Sequence, residues 1–260
     1  GINAVVPVGT TGESATLSFN EHKECIEVAV AACKGSNTKV IAGAGSNATH
    51  EACDLAKHAQ DVGANAILSI TPYYNKPTQE GLYQHYKAIA NSVEIPFMMY
   101  NVPGRTGVDL DANTTIRLFD DVKNIYGVKE ATGSLERAIC LLSQRKDFIV
   151  VSGDDAIDFP MLANGAKGII SVTANLLPNL KSQLVDCVFK GDLEKARQIN
   201  EDLYALNSVL FCESNPIPIK AAMYLAGLLD TLEYRLPLTA PSAETMKKLE
   251  KTLEKYEVIK

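Results

Sequence analysis

The chain has 260 residues, of which 46% are hydrophobic and 22% are charged, so it can bury a sizeable core. Its 25 basic and 31 acidic side chains give a net charge of −6, which argues against nucleic-acid binding. No apolar run reaches the roughly 20 residues that span a bilayer, and the N-terminus Gly1-Ile2-Asn3-Ala4 lacks the basic-then-apolar layout of a signal peptide. We therefore expect a cytoplasmic protein with no nucleic-acid and no membrane partner.

Short apolar runs alternate with amphipathic segments along most of the chain. The runs are continuous rather than alternating in polarity, as in strands buried on both faces of a parallel sheet. The predicted strands cover residues 4–8, 40–44, 66–70, 97–100, 125–129, 149–152 and 168–171. A capping box at Ser18-Phe19-Asn20-Glu21 predicts a helix through Cys33. Further helices are predicted at 50–62, 79–93, 112–119 and 135–143.

This alternation is typical of an α/β fold, the (β/α)8 TIM barrel, with one βα unit fewer than the usual eight. After Phe189 the strand signals stop, and residues 192–209, 216–228 and 242–256 have helical periodicity. The predicted domains are therefore a barrel over residues 1–190 and a C-terminal helical appendage over residues 191–260.

Lys129 is the first candidate for chemistry, because it ends a predicted apolar strand. A poorly hydrated lysine has an accessible neutral amine that can attack a carbonyl carbon and form a Schiff base. The alternative is a lysine whose ammonium reaches water over an apolar stem. Neighbouring strand ends decide between the two interpretations.

In a (β/α)8 barrel the active site lies at the carboxyl ends of the strands. The first predicted strand is followed there by Gly9-Thr10-Thr11-Gly12-Glu13-Ser14, whose amides and hydroxyls could hold a carboxylate. Tyr100 supplies a phenol for proton transfer, and Arg105 on the following loop offers a bidentate carboxylate site. The pair Tyr73-Tyr74 follows the third strand and, taken alone, is more typical of a packing or interface feature.

The metal-binding residue types show no ligand pattern. Six cysteines are scattered without a C-x-x-C pair, and the four histidines form no H-E-x-x-H motif. We expect reduced, buried thiols and no protein metal site.

Three segments together resemble the 4-hydroxy-tetrahydrodipicolinate synthase family, also called dihydrodipicolinate synthases, within the N-acetylneuraminate lyase superfamily of pyruvate-dependent class I aldolases. They are Gly9 to Ser14, Tyr100 to Gly107 and Gly127 to Gly133. The likeness extends to Thr71-Pro72-Tyr73-Tyr74-Asn75, to Gly168 through Asn175 and to Asn215-Pro216-Ile217-Pro218-Ile219-Lys220. Arg105 favours the synthases, because the wider superfamily generally lacks an arginine there.

The resemblance implies that Lys129 forms an imine with pyruvate and that the enamine attacks L-aspartate 4-semialdehyde. The product, 4-hydroxy-tetrahydrodipicolinate, belongs to the first committed step of diaminopimelate and lysine biosynthesis. The implied proton relay is Tyr100, Thr10 and Tyr74, and the implied substrate contacts are Thr11 to pyruvate, Arg105 to the semialdehyde carboxylate, and Gly153 and Ile170 in the pocket lining. No metal or organic cofactor is implied beyond the covalent imine. Alternatives are another pyruvate aldolase and a non-catalytic lysine-binding homologue.

The same resemblance implies a homotetramer built from two tight dimers, with Tyr74 reaching into the neighbouring subunit. It also implies a site at which L-lysine inhibits the enzyme. The implied lysine-binding residues are Ser14, Ala15, Leu17, His22, Asn47, Glu51 and Tyr73. A role in helix starts, turns or caps is the simpler alternative for His22, Asn47 and Glu51.

The chain departs from the family at its beginning. The family begins with a strand carrying a Thr-Ala-Leu-Val-Thr-Pro-Phe-like segment and a helix, and neither precedes Gly1. We therefore expect the first βα unit to be absent from this sequence, which would leave two strand edges unpaired.

Overall fold

The computed structural model describes residues 1–259 and groups them into two compact units. The sheet unit consists of Ile2–Gly9 and Ser18–Ile170. The helical unit consists of Gly1, Thr10–Leu17 and the described residues from Ser171 onward.

The sheet unit contains a seven-stranded sheet whose strands all run parallel and pair in sequence order. Sequential parallel pairing is the strand arrangement of a (β/α)8 barrel, so the predicted fold class is confirmed at this level. The strands are β1 (Ala4–Val5), β2 (Lys39–Gly43), β3 (Ala66–Ile70), β4 (Phe97–Asn101), β5 (Ile125–Glu130), β6 (Ile149–Ser152) and β7 (Gly168–Ile169).

The first strand is shorter than predicted. The apolar run continues to Val8, but β1 ends at Val5. Pro7 has no N–H to donate to a ladder, and Val8 has a left-handed φ of 50°. The predicted burial of this run is also wrong in part, because Val8 is buried but Val5 is 38% exposed.

Seven helices of the sheet unit link or follow its strands. They are α1 (Phe19–Cys33), α2 (Thr49–Asp61), α3 (Gln79–Ala90), α4 (Pro103–Thr106), α5 (Ala112–Asp121), α6 (Leu135–Gln144) and α7 (Asp158–Ala163). The predicted capping box of α1 is confirmed, because Glu21 N donates to Ser18 Oγ and Ser18 N donates to Glu21 Oε2. The two shortest helices, α4 and α7, were not predicted from periodicity.

Apolar side chains of the sheet form two separate clusters on its two faces. The outer cluster includes Ile67, Phe97, Met99, Ile125, Val128 and Val150 together with helix residues. The interior cluster includes Leu68, Met98, Tyr100, Val102 and Val151. Because successive strand residues point to opposite faces, the residue after Val128 falls on the interior face. That residue is Lys129.

The helical unit contains four longer helices: α8 (Pro178–Phe189), α9 (Leu193–Val209), α10 (Ile217–Leu225) and α11 (Ala243–Glu254). Leu206, Ile219, Leu249 and Leu253 are buried in its core. Helix α8 was not predicted, and α10 ends earlier than the apolar pattern suggested. Gly227 takes a left-handed φ of 68° just beyond α10, which is a common way for a helix to end.

The cysteines and the apolar helices test two predictions made from composition. The six cysteines are free, but the prediction that they are buried is wrong: Cys25, Cys140 and Cys212 are exposed, and the other three are partly exposed. Five of them lie on helices whose faces are partly solvated, and Cys212 lies between α9 and α10. Within residues 1–259, no helix is both long and apolar enough to cross a membrane.

The buried His85 makes stability depend on pH. Its side chain is 5% exposed, Thr49 Oγ1 lies 2.9 Å from its Nδ1, and burial lowers its pKa from 6.5 to about 4. The unfolded state therefore takes up a proton near pH 6.5 that the folded state refuses until about pH 4, so stability falls as the pH drops. The loss over this window is about 3 kcal/mol.

We expect His85→Gln to flatten the pH dependence of the unfolding free energy between pH 6.5 and 4, measured by urea denaturation. Some dependence remains, because burial also lowers the pKa of His22. The exposed His50 provides the control His50→Gln, which should retain the wild-type slope. Equal slopes in both variants would contradict the assignment to His85.

Candidate active site

Lys129 and Tyr100 lie side by side at the carboxyl ends of neighbouring strands. The two residues are register partners of β4 and β5. Lys129 Nζ lies 4.2 Å from the centroid of the Tyr100 ring, and the tyrosine is only 6% exposed. This is cation–π distance for a charged lysine, and it brings the amine and the aromatic group into one small site.

The interior face of the sheet supplies apolar neighbours for this pair. Ile70 is the register partner of Tyr100, and Val151 is the register partner of Lys129. Across β3 to β6 the interior side chains therefore form a row of Ile70, Tyr100, Lys129 and Val151. The lysine lies between an aromatic and an aliphatic residue. Both reactive groups were predicted at strand ends, and the register places them together.

Gly153, which follows β6, leaves the space that the lysine side chain occupies. Its N–H donates to the carbonyl of Glu130 at 2.9 Å. A Cβ added at Gly153 would lie 2.7 Å from Lys129 Cε and 2.9 Å from the Cβ of Ala131. Any larger residue at this position would therefore displace the lysine.

A buried polar network that was not predicted from the sequence lies on the opposite face of the same strand ends. Glu130 is 2% exposed and accepts a hydrogen bond from Thr132 N at 2.8 Å. Asn101 Nδ2 donates to Asp109 at 2.7 Å, and Arg137 lies 3.3 Å from Asp109 and 4.0 Å from Glu130. Burial raises the pKa of Glu130, while its hydrogen bonds from Thr132 and Asn101 and the charge of Arg137 oppose the rise. A glutamate at the end of an apolar strand was the available signal.

Arg105 lies on the short helix α4, which begins at Pro103, and its side chain is exposed. The buried hydroxyl of Thr106 fixes this loop by donating to the carbonyl of Val108 at 3.0 Å. Thr71 Oγ1 in turn donates to Thr106 Oγ1 at 3.2 Å. The backbone that carries the arginine is therefore held at the ends of β3 and β4.

The two tyrosines after β3 differ in their surroundings. Tyr74 is 90% exposed and has a left-handed φ of 75°, while its N–H donates to the carbonyl of Thr106 at 3.3 Å. Tyr73 is half-buried, and its carbonyl accepts from Asn47 Nδ2 at 3.2 Å. The tyrosine loop is thus attached to the arginine loop, with one ring displayed to solvent.

Three of the residues implied for lysine binding, Asn47, Glu51 and Tyr73, are close to one another in the sheet unit. Asn47 contacts Tyr73 as described, and Ser46, the neighbour of Asn47, donates to Glu51 Oε2 at 2.6 Å. His22 is buried, and its Nε2 lies 2.7 Å from the carbonyl of Gly43 at the end of β2. Of the residues implied for the pocket lining, Ile170 donates from its N–H to the carbonyl of Ser152 at 2.8 Å.

The remaining candidates lie on the turn Thr10–Leu17 of the helical unit. Thr10, Thr11, Ser14 and Leu17 are half-buried, and Ala15 is exposed. Asn215 Nδ2 donates to Thr11 Oγ1 at 3.0 Å, and Lys220 pairs with Glu13 at 2.6 Å. The segment from Asn215 to Lys220 carries part of the family resemblance, but the contacts of its two polar ends with this turn were not predicted.

No group of three or more histidine, cysteine, aspartate or glutamate side chains among residues 1–259 is arranged to hold a metal ion. The strand ends of the sheet unit offer an amine, a phenol and an exposed guanidinium. Together these groups suit attack on a carbonyl carbon and the binding of carboxylates.

The chain is similar in sequence and structure to enzymes of one kind. A model described as the Dihydrodipicolinate synthetase family matches residues 1–256. A relative from Aliarcobacter butzleri (strain RM4018), named 4-hydroxy-tetrahydrodipicolinate synthase, is 79% identical over the whole chain and 88% of its own length.

Solved structures agree with these sequence matches. The chloride-inhibited dihydrodipicolinate synthase from Acinetobacter baumannii complexed with pyruvate superposes with a TM-score of 0.95 at 46% identity, over 99% of this chain and 88% of that one. The enzyme from Cyanidioschyzon merolae with lysine bound gives a TM-score of 0.96 at 38% identity, over 99% and 87% of the two chains. With this coverage by model, relative and structure, the chain belongs to the dihydrodipicolinate synthetase family.

Proposed function

We propose that this chain is a lyase that condenses pyruvate with L-aspartate 4-semialdehyde to give 4-hydroxy-tetrahydrodipicolinate, in diaminopimelate and lysine biosynthesis. The observation that carries the proposal is the position of Lys129 Nζ, 4.2 Å from the Tyr100 ring at paired strand ends. Family membership supports the choice of substrates. A biosynthetic reaction of this kind agrees with action in the cytoplasm.

The reaction begins when the Lys129 amine attacks the keto carbon of pyruvate and the carbinolamine loses water to give an imine. Loss of a methyl proton turns the imine into an enamine, whose carbon attacks the aldehyde of the semialdehyde. The amino group of the semialdehyde then displaces Lys129 from the imine carbon, closing the ring and regenerating the free amine. One water molecule is released overall, and the covalent imine takes the place of a cofactor.

Proton transfers in these steps are assigned to Tyr100, with Thr10 and Tyr74 completing a relay. Thr11 holds the pyruvate carboxylate, and Arg105 holds the carboxylate of the semialdehyde through paired hydrogen bonds. Gly153 and the backbone at Ile170 line the pocket. The exposed ring of Tyr74 agrees with a relay completed in a second subunit.

Borohydride trapping tests the Schiff base directly. Incubation with pyruvate and borohydride should leave a reduced adduct on Lys129, located by peptide mass spectrometry. If Lys129 carried no adduct, the Schiff-base mechanism at Lys129 would be excluded, and if no lysine of the chain carried one, a non-catalytic lysine-binding role would gain support.

Arg105→Ala is expected to separate the synthase from other pyruvate aldolases. Removing a bidentate carboxylate contact should raise the KM for L-aspartate 4-semialdehyde by roughly 10- to 100-fold. Adduct formation with pyruvate should change little, because pyruvate binds first at Lys129. The control Arg145→Ala removes an exposed arginine that pairs with Asp120 and should match wild type. Unchanged semialdehyde kinetics in Arg105→Ala would rule out the carboxylate role and favour another aldehyde substrate.

L-lysine is proposed to inhibit the enzyme at a second site formed by Ser14, Ala15, Leu17, His22, Asn47, Glu51 and Tyr73. The hydrogen bonds that link Asn47 to Tyr73 and Ser46 to Glu51 support the part of this site in the sheet unit, and a carboxylate suits an ammonium ligand. Initial rates measured with added L-lysine test the proposal, and rates that do not change would overturn it.

A homotetramer made of two tight dimers and a complete eight-stranded barrel are part of the same proposal. Strands β1 and β7 each pair with one neighbour, so a further βα unit placed between them would complete the barrel. The domains in this view are the barrel, residues 1–190, and a helical appendage, residues 191–260. Light scattering of the purified chain tests the tetramer.

A further inference from the structure

The segment from Asn215 to Lys220 has no role in the reaction as proposed so far. In the helical unit its first residue contacts Thr11 and its last contacts Glu13, at 3.0 and 2.6 Å. Between these ends, Ile217 and Ile219 are buried at 9% and 0% exposure. An apolar anchor thus presents two polar side chains to one turn, and the contact with Thr11 concerns a hydroxyl that is proposed to bind substrate.

A threonine hydroxyl has one proton to donate and two lone pairs to accept with. Asn215 Nδ2 donates to Thr11 Oγ1 at 3.0 Å, which uses a lone pair. The reverse contact, from Thr11 Oγ1 to Asn215 Oδ1, is 3.4 Å, beyond the usual range of about 2.5–3.0 Å for a hydroxyl donor. The proton of Thr11 is therefore left for a stronger acceptor, and a carboxylate is one.

We propose that Asn215 is a positioning residue that turns the Thr11 hydroxyl so that its proton points to the carboxylate of pyruvate. This inference rests on the proposed function, in which Thr11 binds that carboxylate. Lys220, paired with Glu13, holds the turn itself.

A second threonine–asparagine pair in the same unit has the opposite polarity. Thr173 Oγ1 donates to Asn207 Oδ1 at 2.7 Å, and both residues are buried. There the asparagine accepts the hydroxyl proton, whereas Asn215 donates to its threonine. The pair Thr173–Asn207 is thus a matched control, because Asn207→Asp measures the loss of stability caused by placing a carboxylate at a buried asparagine.

The test is Asn215→Asp. A carboxylate can only accept, so it would capture the Thr11 proton and turn the lone pairs of Oγ1 towards the substrate. We expect the KM for pyruvate to rise at least about tenfold, while the KM for the semialdehyde stays within about twofold of the wild-type value. Asn207→Asp should alter the thermal unfolding temperature but leave the KM for pyruvate within the same twofold range.

Repulsion between the new charge and the substrate could also raise this KM, and a double-mutant cycle separates the two causes. In a Thr11→Val background, Asn215→Asp should raise the KM for pyruvate by less than about threefold, because no hydroxyl remains to be turned. An equal rise in both backgrounds would overturn the inference, as would a wild-type KM in Asn215→Asp.

Should Asn215→Asp fail to fold, as judged by circular dichroism, Asn215→Ala replaces it in the cycle. This variant is expected to raise the KM for pyruvate about fivefold, and additivity with Thr11→Val would again overturn the inference. Borohydride trapping on the wild-type chain distinguishes a failure of the proposed function from a failure of the role of Asn215. Absence of a Lys129 adduct would refute the proposed function, whereas an adduct combined with an additive cycle would refute only the role of Asn215.

Discussion

Lys129→Met is expected to lower kcat by at least about 10⁴-fold, the scale on which enzymes lose activity when a covalent nucleophile is removed. Methionine has a flexible, apolar side chain that can fill the space between Gly153 and the Tyr100 ring, so the site should keep its shape. It has no amine to attack pyruvate. The loss should therefore appear in the chemical step and in borohydride trapping, with thermal unfolding close to that of the wild type.

Lys123 provides the control, because it is an exposed lysine just before β5. Lys123→Met should keep both the activity and the pyruvate adduct of the wild type. An adduct of full intensity in Lys129→Met would show that pyruvate reacts at another lysine, and the assignment of the site to the ends of β4 and β5 would then be wrong.

The sequence predicted the regular part of the fold because apolar runs and capping signals are local. All seven strands occur where the runs lie, and β3 and β6 have the predicted bounds. The predicted ends of β1 and α10 were wrong, because backbone geometry determines them. Val8 takes a left-handed conformation that ends regular pairing, and a left-handed Gly227 follows the end of α10. Neither effect changes hydrophobic periodicity, so neither was visible in it.

The candidate site shows the same division between local and long-range information. Lys129 and Tyr100 could be proposed from their own strands, since each ends an apolar run. The role of Asn215 could not, because it acts on Thr11, 204 positions away. Glu130 was overlooked for a different reason: alternation places it on the face opposite Lys129, where Asn101 and Arg137 surround it. Register and packing partners are needed to interpret such residues.

Gly153→Ala is expected to lower kcat by about 100-fold, since a displacement of about 1 Å at a reacting group can cost that much. The new methyl would lie 2.7 Å from Lys129 Cε and 2.9 Å from Ala131 Cβ. The lysine side chain can move, whereas Ala131 Cβ is fixed to the backbone of the lysine strand. The expected response is therefore a lysine pushed away from the Tyr100 ring, together with roughly 1–3 kcal/mol of overpacking. Single-turnover trapping with pyruvate and borohydride measures the slower imine formation.

Gly168→Ala, on the adjacent strand β7, is the matched control. A Cβ there meets only Val151 Cγ1 at 3.7 Å, which is ordinary contact, so imine formation should proceed at the wild-type rate. The backbone of Gly153 does not have a positive φ, so any difference between the two variants arises from side-chain space and not from backbone strain. A normal trapping rate in folded Gly153→Ala would mean that the lysine reaches pyruvate from more than one position. The contact with the Tyr100 ring would then not be required for the chemistry.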